Sequence, residues 1–303
     1  MGSGARRAVT AFPGRALATL ALFIRAAGLS AQSTTPSVHF HHVHLNVTNP
    51  AATIAFYQKF FGANAVKYRD RSDALFTEKS FILLSKVAAP PPSNVGTTLW
   101  HIGWAGVDGE SEFAWRTKEG IAVQTPITPL GPNHYMYFWG PDRELIEVYT
   151  GSKNHRFEHF HLLASDLNAT LRWFSSQLGL RPTLPSDSKL GGVAINLIRI
   201  DNINVYVFEK PAAGQERPAW FPPEVGERFP PTEGTTIDHV AFSVADVQVA
   251  FRQMRQNGAT IVRPVATSRE YGLTSFFVRA PDGLLIEIVE EPPIPEGIWP
   301  AKR

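Results

Sequence analysis

Phe40-His41-His42-Val43-His44-Leu45-Asn46-Val47 is the stretch from which the fold is read, because altered copies of it recur three times and each copy keeps a histidine. The copies are Trp100-His101-Ile102-Gly103-Trp104, Glu158-His159-Phe160-His161-Leu162 and Asp238-His239-Val240-Ala241-Phe242-Ser243-Val244. A strand alternates its side chains between two faces, so His42, His44 and Asn46 share one face while Val43, Leu45 and Val47 share the other. The same alternation sets His159 and His161 against Phe160 and Leu162, and His239 and Ser243 against Val240 and Phe242. Four strands are therefore expected, each with an apolar face on a core and a histidine on an opposite face that is polar and meets water.

Each of these strands opens a longer repeat. After the first, Asn49 precedes Pro50 as an N-cap with proline in the first turn, and Ile54, Phe56, Tyr57, Phe60 and Phe61 give an amphipathic helix that Gly62 ends. Strands are expected at 74–77 and 80–85 before the proline-rich break at 88–93. The second unit places a helix at 109–117 and strands at 135–139 and 145–149. The third has a helix at 167–178 behind Asp166, then strands at 193–200 and 204–208. The fourth has a helix at 246–257, a strand at 275–279 and a last strand after Ala280-Pro281-Asp282-Gly283. Residues 210–235, rich in proline and carrying Trp220 and Phe221, read as a lid or packing loop. The expected class is α+β, four βαβββ modules in cup-shaped mixed sheets. The expected division is 39–151 (modules one and two), 156–291 (modules three and four) and a tail, 292–303.

Composition supports a folded chain with real cores: 303 residues, 44% hydrophobic and 18% charged. The formal charge of +2 depends on Arg6, Arg7, Arg15 and Arg25, for 1–31 holds no acid, and without that piece the balance turns negative. A nucleic-acid partner loses its electrostatic support. Arg6-Arg7, an apolar run over 16–24 and Leu29-Ser30-Ala31 read as a signal peptide over 1–31, which predicts export to the periplasm or outside the cell. The apolar run is too short to span a membrane, and no other span is expected in the mature chain. With no cysteine, any metal must be held by histidine and carboxylate.

The second and fourth modules end in a carboxylate set among aliphatics, Ile146-Glu147-Val148 and Ile286-Glu287-Ile288, standing 46 residues after His101 and 48 after His239. Each glutamate points away from its aliphatic neighbours, onto the histidine face, where an unpaired buried carboxylate is costly and wants a cation. Two imidazoles and a carboxylate suit Fe(II), Mn(II), Zn(II) or Ni(II) and leave positions open for substrate or oxygen.

These repeats, with Ala55-Phe56-Tyr57, the His-x-x-x-x-Val patterns at 42–47 and 239–244 and Pro281-Asp282-Gly283-x-x-Ile286-Glu287, resemble the vicinal oxygen chelate superfamily of glyoxalases, bleomycin-resistance proteins and extradiol dioxygenases. The resemblance covers 39–291. It implies metal ligands at His42, His101 and Glu147 and at His159, His239 and Glu287, and it admits two groupings. Modules pair one with two and three with four, or one with four and two with three; in the latter His42 joins His239 and Glu287, and His159 joins His101 and Glu147.

His44 and His161, one strand repeat beyond, are candidates to touch substrate or move protons, as are His134 and Tyr137, which precede Pro141. Phe277 stands where the fourth module would be expected to carry a tyrosine. The implied function is a divalent-metal enzyme on a small chelating substrate, oxygenase-like and related to ring-cleaving dioxygenases. A glyoxalase-type lyase or isomerase is the alternative, but 81–85 offers no carboxylate, and export argues against glutathione or coenzyme A substrates. A non-catalytic protein binding an aromatic compound or an antibiotic is a third reading. A homodimer is the assembly to be tested.

Overall fold

The computed structural model describes residues 37–295, so the signal peptide expected over 1–31 and the tail beyond 295 lie outside the described residues. The first module runs β1 (His39–Val47), α1 (Pro50–Phe61), β2 (Asn64–Tyr68), β3 (Ser72–Thr77) and β4 (Ser80–Lys86). The second runs β5 (Leu99–Ala105), α2 (Gly109–Lys118), β6 (Ala122–Leu130), β7 (Asn133–Trp139) and β8 (Leu145–Tyr149). The third runs β9 (Arg156–Ala164), α3 (Leu167–Leu178), β10 (Lys189–Leu190), β11 (Val193–Ile200) and β12 (Ile203–Glu209). The fourth runs β13 (Ile237–Val244), α4 (Val247–Gln256), β14 (Thr260–Thr267), β15 (Thr274–Arg279) and β16 (Leu285–Glu290), with a 3-10 turn at Pro281–Gly283. The class is α+β with two mixed eight-stranded sheets, as expected.

Each helix starts by the same device. The side chains of Asn49, Asp108, Asp166 and Asp246 accept hydrogen bonds from the backbone N–H groups of Ala52, Ser111, Ala169 and Val249, filling donors that the first turn leaves open. Gly62 and Gly179 close α1 and α3 in the left-handed region, at φ 67° and 70°.

The sheets join modules across the chain. One has the order β14-β15-β16-β13-β1-β4-β3-β2 and the other β10-β11-β12-β9-β5-β8-β7-β6. Of the two groupings open to the sequence, one with four and two with three is therefore the one formed. Segments 39–151 and 156–291 each give one module to each sheet, so neither builds a cup by itself. The antiparallel seams are β1 with β13, where His44 faces His239, and β5 with β9, where His101 faces His161.

The apolar faces meet in one core. Phe40 of β1 lies 5.8–5.9 Å from Phe157 and Phe160 of β9 and from Phe242 of β13, which ties the two sheets together. Trp104 is fully buried beside them, its indole N–H donating to the Phe61 carbonyl at 3.1 Å. The histidine faces depart from expectation. They are not wet, for His42 is 0% and His239 4% exposed, and each sheet carries a second buried apolar cluster apart from the main core. In the β5/β9 cup that cluster includes Phe208 and Tyr137, and residues from the 210–235 insertion, Phe221 and Val225, are buried in it. Trp220 stacks 6.1 Å from Trp100, so the insertion packs over this cup.

Candidate metal centres

The first cup gathers His42 and His44 from β1, His239 from β13 and Glu287 from β16. Glu287 Oε2 lies 3.3 Å from His42 Nε2 and 3.2 Å from His239 Nε2. Its other oxygen accepts from Ser275 at 2.5 Å. Behind the ligand atoms, Asp238 Oδ1 takes a hydrogen bond from His239 Nδ1 at 2.5 Å, and His42 Nδ1 shares one with His41 Nδ1 at 2.8 Å. Both rings are thereby turned Nε2-first toward the glutamate. His44 Nε2 is bound to Ser85 Oγ at 2.9 Å, and Ser85 meets Tyr271 Oη at 3.3 Å.

The second cup repeats this with His101 from β5, His159 and His161 from β9 and Glu147 from β8. Glu147 Oε2 lies 2.8 Å from His101 Nε2, 3.2 Å from His159 Nε2 and 3.8 Å from His161 Nε2. Tyr137, paired with Glu147 across β7 and β8, donates to the same oxygen at 3.4 Å, whereas the equivalent partner of Glu287 is Phe277. Glu158 accepts from His159 Nδ1 at 3.3 Å, the counterpart of Asp238.

His134, also a candidate from sequence, is not brought to either cluster. Its ring lies against Gly109 at the start of α2, and its backbone pairs with Thr150. Asp238 and Glu158 were missed. The signal was present as an acid directly before a histidine in two of the four copies, but strand alternation sends neighbours to opposite faces. Here each acid folds back onto the Nδ1 edge.

Charge in both cups follows from burial set against pairing. Burial works against ionisation of Glu147 and Glu287, but hydrogen bonds from the facing histidines outweigh it and hold both well below the usual carboxylate range. Burial keeps His42, His44, His101 and His161 neutral by lowering their pKa values. His159 and His239 go the other way: burial is opposed by two carboxylates each, which lift them to about 9. Each cup thus sets an ionised carboxylate and neutral imidazoles around one protonated ring, a place where a divalent cation can replace a proton.

The donor set fits such an ion on a further observation. His42 Nε2 is fully buried and lies 3.3 Å from Glu287 Oε2 without well-aligned hydrogen-bond geometry. In the second cup, single donor atoms of His101, Glu147, His159 and His161 all lie within 4.8 Å of one another, as do those of His42, His44 and His239 in the first.

A fold of paired βαβββ modules with His/His/Glu at the floor of each cup defines a class, and sequence comparison agrees with it. The family model of the Glyoxalase/Bleomycin resistance protein/Dioxygenase superfamily matches residues 39–148 and 156–288, and the chain belongs to that superfamily. Glyoxalase I from Zea mays superposes with a TM-score of 0.66 at 15% identity, over 84% of this chain and 92% of the maize chain. A Bacillus subtilis subsp. subtilis strain 168 protein, provisionally assigned as a dioxygenase, superposes with a TM-score of 0.60 at 15% identity, over 86% of this chain and 87% of that one. Lactoylglutathione lyase from Escherichia coli O157:H7 is 34% identical over 65 residues, which is 22% of this chain and 48% of the lyase. The chain therefore spans about half the length of the curated relatives it matches. At these identities the solved structures establish the fold.

Proposed function

We propose that the chain is a divalent-metal enzyme of oxygenase type acting on a small substrate that chelates the ion. His42, His239 and Glu287 hold one ion, and His101, His159 and Glu147 hold the other. The observation that carries this reading is the approach of two imidazole Nε2 atoms to one glutamate oxygen in each cup, at 3.3 and 3.2 Å in the first and 2.8 and 3.2 Å in the second. A bound ion supplies Lewis acidity toward substrate oxygens, and a redox-active one such as Fe(II) also supplies oxygen activation.

The chain's own residues do the rest. Asp238 and Glu158 fix the tautomer and direction of His239 and His159. His44, neutral and joined to the Ser85 hydroxyl, accepts a proton from a substrate hydroxyl in the first cup. The Tyr137 hydroxyl, beside Glu147, donates to a substrate oxygen in the second. Trp100, Tyr206, Phe208 and Trp220 wall that cup with flat apolar surface, which excludes water and suits an aromatic ring.

A second reading, isomerase or lyase chemistry of the glyoxalase kind, is favoured by the 65-residue match to lactoylglutathione lyase. Against it, β4 and β12 bring Ser85 and Phe208 to the cups in place of further carboxylates. The two separate in one experiment. Protein loaded anaerobically with Fe(II) is given catechols with oxygen, and separately a glutathione hemithioacetal. Oxygen uptake that falls at least about a hundredfold in the Glu147→Ala/Glu287→Ala double variant supports the oxygenase. Hemithioacetal turnover without oxygen uptake would overturn it in favour of the lyase.

A further inference from the structure

The two cups are related residue by residue. His44 faces His239 across β1 and β13, and His161 faces His101 across β9 and β5, so His44 and His161 are counterparts. The strand on the other side differs. In β4 the residue in register two places past His44 is Ser85, beside Asn46; in β12 the residue two places past His161 is Phe208, beside Leu163. One cup thus offers its extra histidine a hydroxyl where the other offers a phenyl ring.

The consequence is visible in both rings. His44 Nε2 is engaged by Ser85, whose hydroxyl is in turn tied to Tyr271, itself donating to the Leu84 carbonyl at 2.8 Å. His44 also stacks on His239 at 4.6 Å with 20° between the planes, so their in-plane lone pairs run side by side instead of converging. His161 has Phe208 at 5.3 Å, its Nδ1 is buried without a partner, and its Nε2 points to Glu147 Oε2 at 3.8 Å. Its ring is inclined 47° to that of His101, and its donor shares a 4.8 Å space with those of His101, His159 and Glu147, whereas the set that includes His44 in the first cup, with His42 and His239, does not take in Glu287.

We propose that the centres differ in coordination: His161 is a fourth protein ligand beside His101, His159 and Glu147, while Ser85 and Tyr271 hold its counterpart His44 off the first centre. This rests on both cups being metal centres and goes beyond it. The second centre binds its ion more tightly and keeps one fewer position for substrate. The first keeps more open positions and retains His44 with its Ser85–Tyr271 chain for handling protons.

The test uses Co(II) as probe on the full chain, stripped with chelator and titrated against a competing chelator, with the visible ligand-field bands recorded. Circular dichroism confirms that each variant is folded. Wild type is expected to take two Co(II) with unequal affinity. His161→Ala, and the shape-preserving His161→Gln, should weaken the tighter site by about tenfold to a hundredfold and alter its bands. His44→Ala should leave both affinities within about threefold, well inside that range. Ser85→Ala should free His44 and tighten the first site, whereas Phe208→Ser should loosen the second. Two bound Co(II) with equal effects of His44→Ala and His161→Ala, or with no effect of His161→Ala, would overturn the inference and leave the metal reading standing. No bound Co(II) in wild type would overturn both.

Discussion

A methyl group added at Gly103 would come 1.9 Å from His159 Nε2. Gly103 sits directly across the seam from His159, and the imidazole lies over its bare Cα on the way to Glu147. The equivalent seam in the first cup pairs His42 with Ala241, so that cup tolerates the methyl group that the second does not. Gly103→Ala should therefore displace the His159 ring. The expected outcome is loss of about tenfold to a hundredfold in affinity at the second centre, as for removal of a group that orients a ligand, with the first unchanged; Co(II) titration reads both. Six candidate ligand positions could be read from sequence because chemistry-bearing side chains stand out against aliphatic neighbours on a strand. Gly103 could not, because its value lies in what crosses it from another module.

At the level of elements, two turns hold the sheets to each other. In the β7–β8 turn Asp142 accepts from the Thr48 N–H at 3.1 Å and the Thr48 hydroxyl at 2.6 Å, at the start of α1. In the β15–β16 turn Asp282 does the same for the N–H of Ser165, at 2.8 Å, and for its hydroxyl, at the start of α3. Asp142→Ala leaves the half-buried Thr48 donors without their carboxylate and should cost about 1 kcal/mol in urea unfolding. Farther out, burial opposes ionisation of Glu112, but hydrogen bonds and charge from His155 and Arg116 outweigh it and hold its pKa at about 2. A carboxylate whose folded pKa lies below its ordinary 4.5 adds stability that is complete above 4.5 and lost as pH falls toward 2. Unfolding curves of Glu112→Gln between those pH values should accordingly slope less than those of wild type. The four helices are all placed by the sequence, the first and third with their caps, but β2, β6, β10 and β14 are not. All four lie at sheet edges. There one flank is unpaired and Pro126, Pro129 and Pro264 are tolerated, so neither burial nor alternation marks them.

For the molecule as a whole, module pairing was out of reach of local sequence. Four similar repeats satisfy either grouping, and the choice is made by seam register and by Phe40, Phe157, Phe160 and Phe242 meeting between the sheets. Because each half of the chain gives one module to each sheet, a cut within the exposed link at 151–155 should leave the two pieces bound together. They should co-elute in gel filtration and part only in denaturant; separation under native conditions would contradict the pairing. The cups are products of that exchange, since the first and second halves of the chain each supply histidine or glutamate side chains to both clusters. The most direct measurement is the divalent-metal content of the purified chain, reconstituted with Mn(II) or Fe(II), beside Glu147→Ala, Glu287→Ala and the double variant. Two ions per chain in wild type, one in each single variant and none in the double variant is the predicted result. A content that is zero in wild type, or that the glutamate variants leave unchanged, would contradict it.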